Sequence, residues 1–169
     1  MYVLPARLLL LAALAGSALA QKVTTEFDQD SDFTQYRTFY INEGQINSKN
    51  PVLQNDIVRK KIQDDIRRRL TEKGLMEVTG GPRDLNVNFN LGSARRREVD
   101  VYPARWWGTR RVVTPYMEGT LVINLRDTKQ KALVWRAIAM EEKSDAPHIE
   151  NKLDDMVKKS FDQYPPKRK

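Results

Sequence analysis

From Asp84 to Leu91 the chain alternates without a fault: Leu85, Val87, Phe89 and Leu91 are apolar, and Asn86, Asn88 and Asn90 stand between them. A period of two belongs to an extended strand, whose successive side chains point to opposite faces. Polar residues at every second position leave one face to water or a polar neighbour, so the sheet that holds this strand is covered on one side only. A strand buried on both faces would read as a continuous apolar run. The same alternation returns in Gly119–Asp127, with Leu121, Ile123 and Leu125 inward. After the polar turn Thr128–Lys131 it returns again in Leu133–Met140, with Leu133, Trp135, Ala137 and Ala139 on one side. Two such runs joined by a short polar turn make an antiparallel hairpin.

The uncovered apolar face needs a second layer, and two segments supply it. Leu53, Ile57, Ile62, Ile66 and Leu70 recur at helical steps, and Val58 widens their stripe. Lys60, Lys61, Asp64, Arg67 and Arg68 take the other side, and Gly74 is placed to end the helix. A last helix is predicted from Pro147 to Tyr164, with Ile149, Leu153, Met156, Val157 and Phe161 as its apolar stripe. Upstream, Val23, Thr25 and Phe27 alternate as a short strand, and Tyr36–Ile41 reads as another. Asn42–Pro51 reads as a loop. The expectation is an α+β domain of two layers, a mostly antiparallel sheet with two amphipathic helices packed on one face.

The first twenty residues fit no part of that plan. Arg7 precedes the apolar run Leu8–Ala15, and Ala18-Leu19-Ala20 has the small-x-small form of a cleavage site. The run is too short to span a bilayer, which takes about 20 residues. We read residues 1–20 as a secretory signal peptide, residues 21–166 as one domain and residues 167–169 as a basic tail. The chain has no cysteine, so no disulfide staples the fold and no thiol carries a lipid. A soluble periplasmic or secreted protein without a lipid anchor or later membrane span is expected. The formal charge of +7 favours anionic partners.

Between Gly92 and Val112 the core periodicity stops and the charge concentrates. Arg95, Arg96, Arg97, Arg105, Arg110 and Arg111 stand with Tyr102, Trp106 and Trp107, against only two acids, Glu98 and Asp100. Guanidinium groups bind phosphate and carboxylate in a fork, and indole rings stack on sugars or settle at a lipid interface. These nine residues are the candidate binding surface. The partner is an anionic envelope component, a lipid headgroup or a glycan, or else an envelope protein; an exported chain is not expected to meet nucleic acid. A second reading is open at this point. Arg95, Arg97, Val99 and Val101 share one parity and Arg96, Glu98 and Asp100 the other, so the strand from Leu85 can continue as a hairpin arm with a solvated arginine face.

Little points to catalysis. The single histidine, His148, stands at the start of a predicted helix between Asp145 and Glu150, where polar residues cap and solvate. Asp127 lies at a turn, and Glu118, Glu141 and Glu142 carry no mark of a catalytic pair. Phosphate-binding glycine loops are missing. The chain reads as a non-enzymatic binding domain without a cofactor or metal. The alternatives are a structural subunit that assembles through a sheet edge and a hydrolase with an unrecognised carboxylate site.

Several runs resemble one family. Gly119-Thr120-Leu121-Val122-Ile123-x-Leu125-x-Asp127 followed by Leu133-Val134-Trp135-Arg136 is similar to a motif of the DUF4136 family of bacterial envelope proteins. Asp32-Phe33-x-x-Tyr36-x-Thr38-Phe39, Asp84-Leu85 and the closing Tyr164-Pro165-Pro166 resemble its other signatures. The resemblance implies an envelope protein of unknown function, often a lipoprotein, and brings no catalytic residue. The missing cysteine sets this chain apart from the lipid-anchored members.

Overall fold

The computed structural model describes residues 21–103 and 108–167, the side chains of residues 102 and 103 excepted. Strands β1 (Lys22–Phe27), β2 (Thr38–Ile41), β3 (Gln45–Asn47), β4 (Met76–Glu77), β5 (Leu85–Pro103), β6 (Thr109–Asp127) and β7 (Leu133–Ser144) form one sheet. Helix α1 (Asp56–Glu72) separates β3 from β4, and α2 (Ala146–Phe161) closes the chain. The sheet order is β1-β7-β6-β5-β2-β4, with β3 beside β5. The pairs β1–β7, β7–β6 and β6–β5 are antiparallel, while β2 and β3 run parallel to β5, and β4 parallel to β2. The fold is α+β with a mostly antiparallel sheet, as the alternation demands.

One layer of helix covers one face. Leu85, Val87, Phe89 and Leu91 of β5 and Leu121, Ile123 and Leu125 of β6 are buried against the helices, and their even-numbered neighbours are not. Trp135 is fully buried, stacked on Phe161 with ring centres 5.3 Å apart and edge-on to Tyr164 at 5.5 Å. Phe27, Phe33 and Tyr36 extend this cluster by edge contacts. On α2 the whole expected stripe, Ile149, Leu153, Met156, Val157 and Phe161, is buried. The helix passes so close to β6 that a Cβ on Gly119 would lie 2.8 Å from Ile149 Cγ2.

The sequence expectations need correction at five places. Helix α1 begins only at Asp56, where Asn55 caps it by accepting from the Val58 N–H at 2.9 Å. Its buried face is Val58, Ile62, Asp65, Ile66 and Leu70; Leu53 is buried ahead of the helix, and Ile57 is 78 % exposed. At about 100° per residue Ile57 falls nearly opposite the centre of that stripe, on the solvent side of the helix. Residues 42–51 are not all loop, because Gln45–Asn47 adds to the edge of β5. Met76–Glu77 likewise pairs with β2. Helix α2 ends at Phe161, before Tyr164, and β2 starts at Thr38, after Tyr36.

Parallel strands have no hairpin to set their register, and two carboxylates do it here. One oxygen of Asp84 accepts from the N–H groups of Arg37 (2.9 Å) and Thr38 (3.0 Å) and from the Thr38 hydroxyl (3.0 Å). The Asp84 N–H donates back to the Thr38 hydroxyl oxygen at 3.0 Å. Those donors hold the Asp84 carboxyl below the usual carboxylate range. Asp127, buried at the β6–β7 turn, accepts from the N–H groups of Lys129 (2.7 Å) and Gln130 (2.8 Å) and from the Tyr36 hydroxyl (3.0 Å). Burial and this carboxylate push the Tyr36 phenol up to about 12.

Candidate functional site

Strands β5 and β6 stay paired from Leu85↔Asp127 to Pro103↔Thr109 without a shift of register. Strand β7 leaves them earlier, its last partner being Met117, opposite Ser144. Beyond that point the sheet narrows to a two-stranded arm, Arg96–Pro103 against Thr109–Tyr116. Pro115 falls on this arm, where β6 has no neighbour on its other side and a missing N–H is tolerated. The arginine-rich segment is therefore a hairpin, the continuation allowed by its parity. Arg96, Arg97, Arg110 and Arg111 lie exposed on it, and Arg95 lies exposed at its root, opposite Met117. Tyr102 is placed on β5 by its backbone, opposite Arg110. Arg105, Trp106 and Trp107 lie outside the described residues, as do the proposed signal segment and the last two residues of the tail.

Directly opposed residues of an antiparallel pair share a face, and the constant register sorts the arm into two. The even-numbered face carries Arg96 opposite Tyr116, Glu98 opposite Thr114, Asp100 opposite Val112 and Tyr102 opposite Arg110. Two of its four charges, Arg96 and Glu98, are engaged. Arg96 forks onto Glu118, Nε–Oε2 3.3 Å and Nη2–Oε1 3.4 Å, and Lys143 of β7 reaches Glu98 at 2.6 Å. Glu98 raises the Lys143 ammonium above its ordinary value, as Glu118 does the Arg96 guanidinium.

The odd-numbered face is continuous with the helix-covered side of the sheet. It carries Arg95 opposite Met117, Arg97 opposite Pro115, Val99 opposite Val113 and Val101 opposite Arg111. Both acids of the segment, Glu98 and Asp100, fall on the other face. Among the described residues no carboxylate pairs with Arg95, Arg97 or Arg111. Val99, Val101 and Val113 are 53–55 % exposed. At the root of this face Asn47, Lys49, Asn50, Ser93, Arg95 and Met117 line a groove of about 550 Å³ with no acid in it. Strand β3 brings the first of these residues there by pairing Asn47 with Gly92.

A second hollow, about 780 Å³, lies at the other root of the arm, between β7, the arm and the start of α2. Here Asp145 caps α2 by accepting from the His148 N–H at 2.8 Å, the capping role expected of it. His148 Nε2 stands 3.3 Å from Oε1 of the buried Glu141, and Gln21 Nε2 donates to Oε2 of the same carboxylate at 3.2 Å. Sequence spacing gave no hint of the Glu141–His148 pair, because β7 and α2 meet only through the fold. An imidazole beside a carboxylate can pass a proton, yet no hydroxyl is bonded to the imidazole among the described residues. No group of three or more histidine or acidic side chains able to hold a metal occurs among them either. No described helix is long and apolar enough to cross a membrane.

No curated protein matches the chain. Among solved structures it is similar to a PDZ domain protein from Parabacteroides distasonis, with a TM-score of 0.61 and 18 % identity over 87 % of this chain. The match spans 36 % of that protein, about a third of its length. It is also similar to the PelC dodecamer from Paraburkholderia phytofirmans, with a TM-score of 0.51 and 8 % identity over 84 % of this chain and 95 % of that one. At these identities the likeness is one of fold. The family model for a domain of unknown function, DUF4136, matches residues 23–166. That span takes in both helices and every strand except the first residue of β1, and the chain belongs to the DUF4136 family.

Proposed function

We propose that this chain is an exported, envelope-associated binding module without enzymatic activity, and that its hairpin arm holds an anionic component of the envelope. The observation that carries this reading is the position of the arginines. They stand on a ribbon that projects past the helix-covered body, where no core packing requires them. Guanidinium forks displayed in this way bind phosphate or carboxylate groups of a lipid or glycan. The reading is tested by replacing Arg95, Arg96, Arg97, Arg110 and Arg111 with serine. Retention of lipid A, peptidoglycan and acidic-phospholipid vesicles is then compared at low and high salt. Loss of retention by the variant, and by the parent at high salt, is expected. Retention that survives the substitutions in a folded variant removes the proposal.

A second reading rests on β1, which pairs with β7 on one side and forms an outer edge of the sheet. Such an edge can accept a strand from another copy. Assembly through it predicts a mass in light scattering that rises with concentration and falls when Thr24 is replaced by proline.

A further inference from the structure

We infer that the acid-free face of the arm is a seat for an anionic lipid bilayer, with Arg95, Arg97 and Arg111 on headgroup phosphates and Val99, Val101 and Val113 entering the interface. This deepens the binding reading above and rests on it. Three observations select the lipid. First, the ladder segregates charge: the acids of the arm lie on the opposite face, where Lys143 engages Glu98 and Arg96 engages Glu118. The odd face is thereby cationic without internal neutralisation.

Second, that face is apolar between its cations. Passing outward, Arg97 opposite Pro115 is followed by Val99 opposite Val113 and then by Val101 opposite Arg111. Guanidinium groups flank a patch of half-exposed aliphatic side chains. A soluble polyanionic glycan satisfies arginine but offers nothing to valine. A bilayer surface offers phosphate at the depth of the guanidinium groups and acyl chain just beneath it. Third, the seat is a projecting ribbon. From Arg95 to Val101 the strand advances about 20 Å at the ordinary rise per residue. A two-stranded ribbon without a third strand or helix over it suits a surface that conforms to it. The acid-free groove at the root, with Lys49, Asn47, Asn50 and Ser93 around Arg95, continues the cationic track toward the body.

The test uses the full exported chain in vesicle flotation. Vesicles of phosphatidylglycerol and phosphatidylethanolamine are compared with phosphatidylcholine alone, and soluble polygalacturonate serves as a lipid-free polyanion. The chain is expected to float with the anionic vesicles only, and less at high salt. Joint replacement of Arg95, Arg97 and Arg111 by serine weakens that association on the order of a hundredfold, since each basic side chain near an anionic surface contributes a factor of about five. Replacing Arg110, on the other face, changes it far less. Val99→Ser with Val113→Ser weakens vesicle association and leaves any polygalacturonate binding untouched. Circular dichroism confirms that each variant is folded.

Vesicle binding indifferent to the three arginines, or equally sensitive to Arg110, overturns the assignment of the face. Binding of polygalacturonate but not of anionic vesicles overturns the lipid and leaves the anion-binding reading standing. Capture of an acidic envelope protein through the same arginines, with vesicles ignored, overturns the lipid likewise. Failure with every anionic probe removes both.

Discussion

Replacing Asp84 with asparagine isolates the device that sets the parallel half of the sheet. A single oxygen of Asp84 receives the N–H groups of Arg37 and Thr38 and the Thr38 hydroxyl, all at 2.9–3.0 Å. Hydrogen bonds to a charged group contribute about 1.5–3 kcal/mol each against about 0.5–1.5 for neutral ones, and three donors on one atom do not add. Asparagine can offer its carbonyl to the same donors without the charge, so Asp84→Asn should cost about 1–3 kcal/mol. Asp84→Ala, which leaves all three donors unpaired, should cost more. With a urea slope near 2 kcal/mol/M the asparagine variant would unfold about 1 M earlier. The effect must also depend on pH. The folded carboxyl titrates below its ordinary value because the donors favour the charged form. Its contribution is therefore complete above the unfolded value of about 3.9 and is lost as the pH falls through the folded value. Urea titrations at neutral pH and at about pH 2 should show the gap between parent and variant closing in acid. Other carboxylates titrate in both proteins and cancel in the difference. A gap below about 0.5 kcal/mol at neutral pH, or one that persists undiminished in acid, refutes the clamp.

Gly44→Ala should destabilise the fold by about 1–3 kcal/mol, because the new Cβ would lie inside the buried Phe89 ring; the nearest ring atom is 2.1 Å away. A thermal midpoint equal to the parent's would mean that the loop retreats freely. Trp135→Ala should cost about 3–5 kcal/mol in urea unfolding. Trp135→Phe should cost clearly less, since the buried indole N–H has no hydrogen-bond partner among the described residues. Ile57→Glu should be neutral or slightly stabilising, because the side chain is exposed and an acid in the first turn of α1 complements the helix dipole. Destabilisation beyond about 1 kcal/mol would return Ile57 to the core.

What the sequence made legible follows from the range of the physics involved. Strands β5, β6 and β7 and the face of α2 declare themselves because alternation and helical repeat are local and each run is long. Strands β3 and β4 do not: they are three and two residues long and exist only by pairing with distant partners. Ile57 and Leu53 entered the expected stripe because their spacing is helical, but the cap at Asn55 starts the helix after Leu53, and the stripe set by Val58, Ile62, Ile66 and Leu70 leaves Ile57 on the outer side. The arm was half legible. Parity on one strand already set Arg97 apart from Glu98 and Asp100, while the identity of the opposing residues, and so the placement of Arg111 on the face of Arg97, depends on a register set at Leu85↔Asp127. The Glu141–His148 pair was invisible for the same reason.

The residues by which the chain resembles its family are consumed by the scaffold. Asp32 caps the turn Phe33–Gln35 by accepting from the Thr34 N–H, and Phe33 packs edge-on to Tyr36 and Tyr164. Tyr36 is bound to Asp127 and Thr38 to Asp84, while Trp135 and Tyr164 close the aromatic cluster. Arg136 donates to Asn124 across the β6–β7 ladder at 2.8 Å. These contacts close turns, set register or fill the core of the body, and none reaches the arm. The family motifs thus account for the body. The coupling between body and arm is the unbroken β5–β6 ladder: a one-residue slip of β5 would turn that strand over. The slip would bury its asparagines in the body and carry Arg95 and Arg97 to the face opposite Arg111 in the same step. The core therefore enforces the display of Arg95, Arg97 and Arg111 on one side, and selection for packing in the body holds the proposed binding face in place.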